Sequence, residues 1–80
     1  MTVTVLLFAS YADALGASSL TVELAAGATA GDVVQHVRAL PGADRLPPAP
    51  LVAVNQRYAP ATQPLTDNDE VALIPPVAGG

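Results

Sequence analysis

The chain has 80 residues, no cysteine and a net charge of −4, from seven acidic residues against three arginines and no lysine. That length suits one domain, 1–80, with a modest core, and the lack of cysteine excludes disulfides and thiolate metal sites. The charge leaves no basic patch for nucleic acid or for an anionic membrane surface, and it suits a basic protein partner.

A hydrophobic fraction of 51% and a mean hydropathy of +0.44 are enough for a packed core, although much of that fraction is alanine. The run VTVLLFA lacks a basic n-region and alternates like a strand, so it is not read as a signal peptide. No apolar stretch reaches the length of a membrane span. The lack of cysteine fits a reducing cytosol, and a cytoplasmic location is the expectation.

In chain order, residues 2–10 are rich in β-branched side chains. Val3, Val5, Leu7 and Ala9 share one face of the predicted strand, and Thr2, Thr4, Leu6 and Phe8 share the other. Residues 11–19 have room for one helical turn before Gly16. Residues 20–27 alternate again, with Leu20, Val22 and Leu24 inward and Thr21 and Glu23 outward. The two runs make a hairpin with a long connection.

The period then changes. Over 28–40, Val33, Val37 and Leu40 recur at helical spacing with Val34 beside them. Thr29 and Asp32 form a capping-box start, and Pro41-Gly42 is the stop. Residues 41–50 carry four prolines and read as loop. Residues 51–55 read as a short buried strand, 56–60 as a brief edge strand limited by Pro60, and 62–69 as turn chemistry. Residues 70–74 are the last strand, ended by Pro75, which has no N–H for a ladder. Strands around one helix predict an α+β domain: a sheet with the helix packed across one face.

Catalytic groups are scarce. His36 has no second histidine to complete a metal or catalytic pair, and it is assigned to the solvent edge of the helix. Asp67, Asp69 and Glu70 lack the glycine and distal glutamate of a calcium loop, and the segment reads as a tight turn. Gly27 and Gly31 do not make a phosphate loop.

The sheet's other face is more informative. If the first and last strands are neighbours, Phe8 and Ile74 form an apolar patch on the side the helix leaves open, bordered by Tyr58. Such a patch marks a partner surface. Beyond it the sequence runs Pro75, Pro76, Val77, Ala78, Gly79, Gly80. Two prolines favour an extended backbone, and diglycine has no Cβ to obstruct a narrow tunnel. Fully extended, 75–80 reaches about 20 Å. This tail suits entry into another protein's active site.

The closing VALIPPVAGG, together with VTVLLFA, LVAVNQ and PLTDNDEVA, resembles in order and spacing the small-subunit family of molybdopterin synthase, which are ubiquitin-like sulfur carriers. The resemblance spans essentially the whole chain. It implies a β-grasp fold with a mixed sheet of four to five strands, one main helix and a flexible tail over 75–80. It implies that Gly80, preceded by Gly79, is adenylated by an E1-like activating enzyme that uses ATP and is then converted to a thiocarboxylate by way of a sulfur donor protein. It also implies insertion into the large synthase subunit, in a heterotetramer, to deliver sulfur to cyclic pyranopterin monophosphate. Phe8, Tyr58 and Ile74 then match positions of apolar partner contact, along with Pro75, Pro76, Val77 and Ala78 of the tail. The resemblance implies no permanently bound cofactor, no metal and no catalytic group in the carrier itself, the catalytic centre lying in the large subunit. Other ubiquitin-like carriers serve thiamine thiazole or cysteine synthesis, and others are conjugated to target proteins; both remain alternatives.

Overall fold

The computed structural model describes residues 1–46 and 50–75. The elements are β1 (Thr2–Leu7), α1 (Ser10–Leu15), β2 (Ser19–Glu23), α2 (Ala30–Arg38), a 3₁₀ turn (Ala43–Arg45), β3 (Leu51–Val54), β4 (Arg57–Tyr58) and β5 (Glu70–Ile74). They form one five-stranded sheet in the order β2-β1-β5-β3-β4. β1 and β5 are parallel neighbours at its centre, with Val5 beside Val71 and Leu7 beside Leu73. The other pairings are antiparallel. This is the α+β arrangement that the β-grasp expectation requires.

Alternation places Val3, Val5 and Leu7 of β1 and Val71 and Leu73 of β5 on one face, all buried. Val33 and Val37 of α2 pack onto them in the same core. Burying a leucine such as Leu73 contributes about 2 kcal/mol. The start of α2 is fixed as its sequence predicts: Thr29 N–H donates to the Asp32 carboxylate at 2.8 Å, completing the capping box. The first helical N–H groups, of Ala30 and Gly31, donate to the carbonyls of Gln63 and Ala61. The segment 61–64 is thereby tied to the helix.

Several expectations need correction. Ala9 does not continue the inner face of β1. It is exposed with φ 48°, and the Tyr11 N–H donates to the Phe8 carbonyl at 3.0 Å to close a tight turn. That turn starts α1, which carries Tyr11 into the core at 1% exposure. β2 is shorter than 20–27, and Leu20 and Leu24 are only half-buried beside the core. The proline-rich 41–50 stretch contains the 3₁₀ turn, entered through Gly42 at φ 89°. Leu65, inside the predicted turn segment, is buried. His36 is exposed, as predicted.

Candidate functional site

The uncovered face of the sheet is built by the same alternation that builds the core. Register sets Leu6 beside Ala72, Ala72 beside Ala53, and Ala53 beside Tyr58, in one row across four strands. In the adjoining row Ile74 sits beside Leu51. Phe8 continues β1 there, its N–H donating to the Leu73 carbonyl at 3.3 Å. Two alanines make a low floor, and the larger side chains stand around it. Leu6, Phe8, Ala53, Gln56, Tyr58, Glu70, Ala72 and Ile74 line one open depression of about 360 Å³.

The sequence-predicted trio of Phe8, Tyr58 and Ile74 is therefore brought together. The large apolar side chains most exposed among the described residues are Phe8 (46%), Leu51 (43%) and Tyr58 (75%), and all three belong to this face or its margin. Apolar surface so placed, with no element of the described residues across it, is characteristic of a partner surface. Leu51 was absent from the sequence-predicted set. LVAV is an unbroken apolar run, and only the pairing with β5 reveals that Leu51 and Ala53 face away from Val52 and Val54.

At the far end of the face lies the polar cluster around Asp69. Its carboxylate accepts from the Thr66 N–H (2.8 Å), the Thr66 hydroxyl (3.1 Å) and the Asn55 side-chain amide (2.9 Å). Asn55 in turn accepts from the Glu70 N–H (3.0 Å) and donates its own N–H to the Glu70 carbonyl (2.8 Å). Asp67 accepts from the Thr2 N–H at 2.7 Å. These bonds, led by the Thr66 N–H, hold the Asp69 carboxyl below the ordinary carboxylate range. The carboxylates thus serve a turn, and no group of metal-type ligands forms among the described residues.

The same bonds explain why VNQ and TDNDE go together in the sequence. They are two turns fastened to each other, one closing the β3–β4 hairpin and the other launching β5. Asn55 and Gln56 both have positive φ, as a two-residue type I′ turn needs.

β5 runs parallel to β1, so it ends beside Phe8, on the apolar side of the molecule. Pro75 follows it, half-buried. The other predicted tail residues, Pro76, Val77, Ala78, Gly79 and Gly80, lie outside the described residues. No helix among the described residues is long and apolar enough to cross a membrane.

Comparison with known proteins gives a consistent picture. The model of the ThiS family matches residues 5–80. The chain is similar to the molybdopterin synthase sulfur carrier subunit of Chlamydomonas reinhardtii, with 37% identity over 83 residues and full coverage of both chains. Among solved structures it is similar to SAMP1 from Haloferax volcanii, with a TM-score of 0.82, 25% identity and full coverage of both chains. It is also similar to the putative molybdopterin converting factor, subunit 1, of Pyrococcus furiosus, with a TM-score of 0.81, 25% identity, and 96% and 99% of the two chains covered. A ubiquitin of Caldiarchaeum subterraneum matches over the whole chain at 27% identity and a TM-score of 0.67, which makes the fold ubiquitin-like.

Proposed function

Because the chain belongs to the ThiS family, we propose that it is the sulfur carrier subunit of a molybdopterin synthase. The observation that carries this reading is the end-to-end likeness to a curated protein of that name. The apolar face and the direction of β5 support it, because a carrier must present one terminus while a partner grips the body beside it.

In this reading Gly80 supplies the reactive carboxyl. A carboxylate is a poor electrophile, with a pKa of about 3.5 and its charge spread over two oxygens. An activating enzyme joins it to the AMP moiety of ATP and releases pyrophosphate. A sulfide equivalent from a donor protein then attacks the carbonyl carbon. The bond to the AMP oxygen breaks, AMP leaves, and a thiocarboxylate remains. Its sulfur is a nucleophile at neutral pH. Held in the large subunit, it is delivered to cyclic pyranopterin monophosphate. The carrier's own residues bind and orient: Phe8, Tyr58 and Ile74 grip, while Pro75 to Ala78 give the tail its reach and Gly79 its slimness. No group of the carrier has to move a proton.

The test is mass spectrometry of the full chain after incubation with activating enzyme, ATP and a sulfur donor. Replacement of one oxygen by sulfur adds about 16 Da, and deletion of Gly80 should abolish the gain. A deletion variant that still acquires sulfur would sink the assignment. The likeness to SAMP1, which is named a small archaeal modifier protein, favours one second reading: attachment of Gly80 to lysines of target proteins. Denaturing gels separate the two, because a modifier yields covalent ladders and a sulfur carrier none.

A further inference from the structure

The two edges of the sheet differ. β4 is two residues long, Arg57–Tyr58, and Pro60 follows one residue beyond it. A short strand followed by proline is an ordinary protection against unwanted pairing. β2 is five residues long, with no proline and no lysine.

The direction of the β2 backbone groups follows from the ladder. Leu7 N–H donates to Ser18, and Met1 and Leu24 exchange two bonds. In an antiparallel pair, hydrogen-bonded and non-bonded positions alternate. Leu20 and Val22 therefore bond to β1, and Ser19, Thr21 and Glu23 turn their N–H and C=O groups to the open edge. All three are exposed. Beside them, Leu20 and Leu24 leave apolar surface half-covered.

We propose that this edge pairs with the β2 edge of a second copy, antiparallel about a two-fold axis at Thr21. One register uses every outward group of both strands. It sets Thr21 against the other copy's Thr21, and Ser19 against the other copy's Glu23. Neighbouring positions then set Leu20 against the other copy's Val22. Polar residues meet polar ones on the outer face, apolar meet apolar on the inner face, and no two carboxylates are opposed. The self-complementarity favours a second copy over a foreign strand. The result is a continuous sheet with both apolar faces on the same side and both helices on the other. A strand of about 14 Å buries little area, and each copy carries −4, so the dimer is weak and strengthens with salt.

Sedimentation velocity from micromolar to millimolar protein tests this. The expected result is a mass rising from the monomer's 8.0 kDa towards twice that, more readily at high salt. Thr21→Pro removes an N–H that the β1 ladder does not use, and Thr21→Glu opposes two carboxylates across the axis. Each should weaken association tenfold or more without unfolding the chain, checked by circular dichroism. Arg57→Ala, on the opposite edge, should leave association unchanged. Hydrogen exchange adds a residue-level readout: amides of Ser19, Thr21 and Glu23 gain protection as concentration rises, and those of Leu20 and Val22 do not. A chain that stays monomeric at millimolar concentration overturns the proposal. So does a dimer that survives both Thr21 variants, or one lost with Arg57→Ala.

Discussion

The two faces of the sheet are written with the same alphabet. Val5, Leu7, Val71 and Leu73 line one; Leu6, Phe8, Ala72 and Ile74 line the other, taken from the alternate positions of the same two strands. The first set is sealed beneath α2, while the second includes Phe8 and is flanked by Leu51 and Tyr58, the three large apolar side chains most exposed among the described residues. Hydrophobicity alone therefore does not say which residues stabilise the monomer. What differs is the cover: α2 supplies one for the inner face, and no element of the described residues covers the outer face, as is characteristic of a partner surface.

The comparison can be broken most severely from the inner side. Leu73→Ala removes a side chain only 1% exposed at the centre of the core, and should cost about 2–4 kcal/mol in urea denaturation. Next comes the layer over the core. Gly42 sits at φ 89°, and a Cβ there would approach the Ala14 carbonyl oxygen to 2.7 Å. Gly42→Ala should cost about 1–3 kcal/mol, read as a lower melting temperature.

The outer face should respond the opposite way. Tyr58→Ala should change stability by no more than about 0.5 kcal/mol. The same variant should lose capture of the synthase large subunit by tenfold or more in a binding assay. A large stability loss at Tyr58 would erase the distinction between the faces.

The smallest effect belongs to Asp69, at the polar end of the outer face. Its depressed carboxyl adds stability that is fully present above the unfolded-state pKa of about 3.9. That stability is lost as pH falls through the lower folded value. The difference in melting temperature between the native chain and Asp69→Ala should therefore be greatest near neutrality and shrink in acid. Asp69 is partly exposed, so solvent screening keeps the effect small.

Much of this was legible beforehand because the strands and the main helix keep clean periods. The 70–74 strand appears with its predicted bounds, and the Thr29–Asp32 capping box forms as written. The meeting of Phe8 and Ile74 followed from alternation once β1 and β5 were taken as neighbours. Tyr11 and Leu65 escaped notice because each lies in a short, turn-like stretch, too brief for a period to establish which residue is buried. Leu51 was misplaced because an uninterrupted apolar run does not say which way it faces. The Asn55–Gln56 turn carries no glycine, so its positive φ values left no mark. The roles of Pro76 to Gly80 rest on the family and on the chemistry proposed for it, not on described geometry.

One consequence concerns how the molecule comes into being. β5 is the last strand in the sequence and stands in the middle of the sheet, between β1 and β3. Until it has left the ribosome, the two hairpins on either side of it have nothing to join them. Pairings so distant along the chain form late. An unfinished polypeptide therefore lacks the completed body that, in the proposed function, an activating enzyme would hold. In that reading, the order of synthesis would hold activation back until the sheet is complete.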